Sequence, residues 1–179
     1  MTLIKTTMTP LNLKGLSLWA DYQTFGDPLQ VALDAFIAEA VKKNHEIFRH
    51  DFKGLKIKPC QDCDGCFTKE VACAYLDDFN TLAPDLLMSH DFVVFAEGSF
   101  SASLKAALSK TRVFASSPKP LTLHKAYLVY LGTEKELQNE IRPYFEGVFA
   151  LSPESTKVFR YEAIDEKALA EITKLADRL

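Results

Sequence analysis

DFVVFA, residues 91–96, is the most strand-like run in the chain, six residues dominated by β-branched and aromatic side chains. The segments on either side alternate around it. Upstream, KGLSLWA (14–20) reads as a short buried strand. PLQVALDAFIAEAVKK (28–43) carries Leu29, Leu33, Phe36/Ile37 and Ala40/Val41 at helical spacing, and Pro28 suits a first helical turn. HEIFRHDF (45–52) reads as a second strand, and a helix is expected around Asn80 to Ser89. Downstream, residues 101–112 form a helix with Leu104, Ala107 and Leu108 on one face, and KAYLVYL (125–131) is a fourth strand. EKELQNEIRPYFEGVFA (134–150) reads as a helix interrupted or bent at Pro143, and STKVFRY (155–161) as a fifth strand. The last helix starts near Asp165, with Ile164, Ala168, Ile172, Leu175 and Leu179 on one stripe. Asp165 and Glu166 suit its first turn, and Lys174 and Arg178 its last.

Strands alternating with helices in this way predict an α/β domain with a parallel sheet covered on both faces. The expected arrangement is a flavodoxin-like three-layer sandwich, five parallel strands in the order 2-1-3-4-5, in a single domain over residues 1–179. The longest loop, SSPKPLTLH (116–124), interrupts no such unit. In such a sheet ligands bind beyond the carboxyl ends of strands 1, 3 and 4, where the strand order reverses. Those ends are the loops after Ala20, Ala96 and Leu131.

Composition excludes some partners. The 21 basic and 24 acidic residues leave a net charge of −3, and no Lys/Arg block runs along the chain, so neither nucleic acid nor an anionic membrane is expected. MTLIKTTMTPLNLKG lacks the apolar centre of a signal peptide, and no segment approaches ~18 apolar residues. A cytoplasmic location is expected, where thiols stay reduced.

That expectation matters because every cysteine lies in one loop, residues 58–76. CQDCDGC (60–66) places Cys60, Cys63 and Cys66 three apart, and Cys73 follows. Thiolates at this spacing can converge on one centre because the backbone between them curls around it. Gly65 eases the tight turn, and Pro59 sets the chain direction before it. The pattern points to a 4Fe–4S cluster. Zinc, which favours two separated C-x2-C pairs, is the alternative, and four free thiols are the third reading.

LKIKPCQDCDGCFTKEVACAYLDDF (55–79), directly after the second strand, resembles a segment of the NADPH-dependent FMN reductase family, in its iron–sulfur flavoprotein branch. SASLKAALSKTR (101–112) is similar to the helix that follows the third strand there. The resemblance implies a flavodoxin-like redox protein that passes electrons between NAD(P)H, FMN and a 4Fe–4S cluster. Cys60, Cys63, Cys66 and Cys73 would ligate the cluster, and the chain would form a homo-oligomer.

By the same resemblance, FMN would meet three loops. ADYQTFGDP (20–28) offers Asp21, Gln23, Thr24 and Gly26. AEGSFSASLK (96–105) offers Glu97, Gly98, Ser99 and Phe100, and LGTEKE (131–136) offers Gly132 and Thr133. The first loop carries Asp21 and Asp27 and no cation, and Glu97 stands where a small residue would lie against the ring. A carboxylate within ~4 Å of a phosphate repels it by about 1 kcal/mol in water, and more where water is excluded. Weak FMN binding is therefore expected.

Of the aromatics near these loops, Trp19 reads as a buried strand-end residue, while Tyr22, Phe25 and Phe100 line the rim. They could cover a ring or fill the space a lost flavin left, the second case describing a non-catalytic relative. His45, His50, His90 and His124 are dispersed and read as ordinary histidines. Asp77 and Asp78 suit the start of a helix. Ser99 has no nucleophile-elbow context, and no catalytic residue is assigned.

Overall fold

The run at 91–96 becomes the middle strand, β3 (Asp91–Glu97), of a five-stranded parallel sheet in the order β2-β1-β3-β4-β5. The structure is a computed structural model, and it describes residues 13–22, 26–63, 65, 73–111, 123–138, 142–145 and 155–179. The other strands are β1 (Lys14–Asp21), β2 (His45–Asp51), β4 (Lys125–Leu131) and β5 (Thr156–Tyr161). Every pairing is parallel, with Leu16 opposite Asp91 between β1 and β3, and Asp91 opposite Lys125 between β3 and β4. The expected fold class and strand order are what the chain adopts.

Period-two alternation divides the core into two layers. Leu16, Leu18, Val93, Phe95 and Val129 face helix α1 (Pro28–Lys42), helix α6 (Glu166–Lys174) and its 3-10 extension Leu175–Arg178. Trp19, Phe92, Val94, Leu128 and Tyr130 face helices α2 (Phe79–Met88) and α3 (Ala102–Thr111). The three inner strands are buried on both sides, while β2 and β5 at the edges are half-buried, as a doubly covered parallel sheet requires.

The helix expected from Glu134 is described in part: α4 (Glu134–Glu136) and α5 (Arg142–Phe145) lie within it, and residues 139–141 and 146–150 are outside the described residues. Pro143 lies within α5. Residues 116–122 of the long loop also lie outside the described residues. Among the described residues, no helix is long and apolar enough to cross a membrane.

Candidate functional site

At the carboxyl edge, where the order reverses between β1 and β3, a cavity of about 380 Å³ opens. Asp21 and Tyr22 at the end of β1 form one wall, and residues 52–55 after β2 form the second. Glu97 at the end of β3 and Ser99 beyond it, with residues 101–103 at the start of α3, complete it. The second wall is a tight turn: the Leu55 N–H bonds the Phe52 carbonyl at 3.2 Å, and Gly54 has φ +89°, a conformation that favours glycine. The Ser103 hydroxyl donates to the Leu55 carbonyl at 2.6 Å, which joins this turn to α3.

Side-chain oxygens of the chain itself take backbone N–H groups at the starts of α1, α3 and α4. Asp27 is the N-cap of α1, buried, and accepts the Leu29 N–H at 2.8 Å; the Gly26 N–H is taken by Gln30 Oε1 at 2.8 Å. Ser101 caps α3 through its hydroxyl, which accepts the Leu104 N–H at 3.1 Å, while its own N–H bonds Asp21 Oδ2 at 2.7 Å. Thr133 and Glu136 form a complete capping box on α4. Burial pushes the Asp21 carboxyl above the ordinary carboxylate range, although the Ser101 N–H and hydroxyl and the Lys105 charge pull it back.

The flavin contacts expected from sequence scatter accordingly. Asp21, Glu97 and Ser99 line the cavity together. Gln23, Thr24 and Phe25 lie outside the described residues. Gly26 and Gly98 both have positive φ and open space beside the Cα, so a turn rather than a close neighbour requires glycine there. Gly98 also ties the second loop to β4 through its N–H to the Leu131 carbonyl, 3.0 Å. Phe100 is buried in the α2/α3 layer, and Trp19 is fully buried against Phe52 and Phe92. Tyr22 is half-buried, its hydroxyl 3.4 Å from Arg49. Gly132 and Thr133 serve the third turn, where Tyr130 packs directly under Gly132.

FMN needs a place for its ring and donors for its phosphate. The cavity offers the first. For the second, the described Gly26, Leu29 and Ser101 N–H groups already serve Gln30, Asp27 and Asp21, and residues 23–25 of the first loop lie outside the described residues. The contribution of residues 52–55 to the cavity was not legible in sequence. Only the Lys53-Gly54 turn signal marked them.

The cysteine segment leaves the carboxyl end of β2, next to β1 and the cavity wall. Cys60 and Cys73 are half-buried and Cys63 is exposed, all three free thiols; Cys66 lies outside the described residues. Gly65 draws the two arms together: a Cβ there would stand 2.5 Å from Ala74 Cβ and 3.5 Å from Cys63 Sγ. Cys73 packs on the core, its N–H bonding Asn80 Oδ1 at 3.1 Å, and Cys60 Sγ faces Asp62 Oδ1 at 3.7 Å. Among the described residues, no three His, Cys, Asp or Glu side chains gather as metal ligands. The described thiols therefore do not form a preassembled cluster or zinc site.

Asp77 and Asp78 do more than start α2. Asp78 makes no side-chain cap to the helix; its carboxylate accepts the Lys56 N–H at 2.6 Å. Asp77 accepts the N–H groups of Phe79 at 3.0 Å and Lys58 at 2.9 Å, and pairs with Lys110 of α3 at 2.6 Å. Both carboxylates thus tie the first arm of the cysteine loop to its end. Burial pushes the Asp77 carboxyl up, but Lys110 and the two N–H groups outweigh it and hold the group below its ordinary range.

The histidines make no ligand set at the cavity. His90 and His124 stack with centroids 3.8 Å apart at the opposite, amino edge, and His90 Nδ1 lies 3.0 Å from the buried Asp91. His45 is held below its ordinary value by burial, against the attraction of Asp91. His50 faces Asp85 at 2.9 Å.

No protein-family model matches the sequence, and no curated protein matches it. Solved structures do resemble it. An azoreductase from Bacillus anthracis str. Sterne superposes with TM-score 0.66 at 12% identity, covering 93% of this chain and 100% of that one. The NAD(P)H:quinone oxidoreductase of Methanothermobacter marburgensis gives TM-score 0.64 at 12% identity, covering 93% and 94%. An NADH:FMN oxidoreductase in its apo form gives 0.57 at 10%, covering 91% and 86%. At such identities the likeness is one of fold.

Proposed function

We propose that this chain is an oxidoreductase of the NAD(P)H-dependent flavin and quinone reductase kind, with the cavity between β1 and β3 as its site. One observation carries the reading: the cavity sits at the reversal point of a 2-1-3-4-5 sheet, where this architecture receives redox ligands. The shared fold of the azoreductase, quinone oxidoreductase and NADH:FMN oxidoreductase structures supports it. NADH or NADPH would be the donor, and a small molecule or a protein the acceptor. The test is oxidation of NADH and NADPH by purified protein with FMN, riboflavin or a benzoquinone as acceptor. Absence of turnover with every pair would sink the reading.

The finer part is a 4Fe–4S cluster on Cys60, Cys63, Cys66 and Cys73. The spacing of the thiols and their seat beside the cavity wall support it. Iron and sulfide analysis of protein purified without oxygen tests it, with zinc as the competing result. A homo-oligomer in the cytoplasm completes the proposal.

The burial of Trp19 and Phe100 and the closed helix starts favour a second reading, a non-catalytic relative of these reductases. Loss of both flavin binding and turnover would select it.

A further inference from the structure

The structure assigns to this cavity an uncharged ring ligand, such as unphosphorylated flavin, in preference to a phosphorylated one, with Asp21 and Asp27 as the residues that set the choice. The inference rests on the reading of the cavity as a flavin and quinone site, and concerns which members of that class enter it.

Three observations meet here. First, the cavity's volume of about 380 Å³ falls at the lower end of the ~300–1,000 Å³ that small-molecule sites span. Its walls mix Phe52, Leu55 and Tyr22 with serine side chains, surroundings suited to a flat polar ring. Second, the α1 start, where a phosphate would find backbone donors, already holds an anion. Asp27 is 7% exposed and bonded to Leu29, so a phosphate must either displace a buried carboxylate or sit beside it. Third, Asp21, 9% exposed, does the same for Ser101 and faces the cavity itself, with Glu97 on the paired strand β3 also lining it. The charged side chains on the wall are Asp21, Glu97 and Lys53, with Lys105 attracting Asp21 from α3. Lys53 is exposed, and the two carboxylates leave the wall net negative.

A dianionic phosphate would thus meet carboxylates where it needs N–H donors. An uncharged ring meets no such penalty. The caps themselves are structural, and excluding phosphate follows from them.

Parallel titrations of the full-length protein with riboflavin and FMN, followed by quenching of flavin fluorescence at about pH 8, test the assignment. Riboflavin is expected to bind at least ~tenfold more tightly than FMN. The Asp21→Asn/Asp27→Asn double variant keeps an oxygen at each cap and is expected to narrow that ratio by about tenfold. FMN binding as tightly as riboflavin, or more tightly, overturns the inference and leaves the flavin and quinone reading standing. An unchanged ratio in a double variant that folds, judged by its circular dichroism, also overturns it. Binding of neither flavin overturns the inference, and the flavin and quinone reading falls with it only if turnover is also absent with every donor–acceptor pair.

Discussion

Asp21 Oδ2 accepts the backbone N–H of Ser101 at 2.7 Å, across 80 residues of chain. In an ordinary capping box the third residue of the helix reaches back to this N–H. Here that residue is Leu104, which cannot, and a carboxylate from the neighbouring strand takes the role. The bond joins β1 to α3 at the mouth of the cavity. It uses a backbone donor that an anionic ligand would otherwise take.

The burial of this carboxylate predicts a pH dependence. With its carboxyl raised by burial, the folded chain keeps the Asp21 proton to higher pH than the unfolded chain does. This group's contribution to stability therefore falls as pH rises from the ordinary carboxylate range through the raised folded value. Asp21→Asn removes the ionisation and keeps an acceptor for Ser101. Urea midpoints taken between about pH 4 and 7 should show the variant gaining on the wild type as pH rises. A constant difference would contradict the desolvation of Asp21.

Lys110 and Asp77 form a pair whose side chains are 4% and 5% exposed. Lys110→Met leaves Asp77 buried with its charge uncompensated, so the loss should be about 3–5 kcal/mol. Adding Asp77→Asn should recover part of it. The Asp77 carboxyl is depressed in the fold, so its contribution is present above the ordinary carboxylate range and is lost as pH falls through the lower folded value. Acid unfolding curves of the two proteins should converge at low pH.

Gly132 has φ +155°, and a Cβ there would lie 2.7 Å from Cζ of the fully buried Tyr130. The ring cannot swing away without leaving the core. Gly132→Ala should cost about 1–3 kcal/mol, read as a lowered urea midpoint. A neutral result would mean that this turn is free to shift.

Asn80 accepts the Cys73 N–H and donates to the Tyr75 carbonyl at 2.9 Å, holding the second arm of the cysteine loop. Asn80→Ala should destabilise by about 1–3 kcal/mol for the two bonds. It should also speed alkylation of Cys73, measured by mass spectrometry. Unchanged labelling would show that the core contact of Cys73, and not Asn80, positions it.

Sequence by itself determined the sheet. Strands 14–20, 91–96 and 125–131 are apolar on both sides of the pleat, so their identity and buried places follow from local pattern and hydrophobicity. Alternation with helices implied a parallel sheet covered on both faces, with 2-1-3-4-5 as the leading order, and the pairing in the fold gives that order. The last helix was legible for the same reason, with Asp165 bonding the Ala168 N–H at its start. Helical residues also stand in the segment from Glu134 where its pattern predicted them. At the site, sequence located the edge, the acidic residues and the cysteine loop. Only the tertiary structure decided their roles. Nothing in the local sequence says that Asp21 reaches Ser101, that Asp77 pairs with Lys110, or that residues 52–55 wall the cavity. A hydrogen bond or ion pair between residues far apart in the chain exists only once the sheet has set their distance. A carboxylate that looks in sequence like a ligand contact can therefore prove, in the fold, to be a cap.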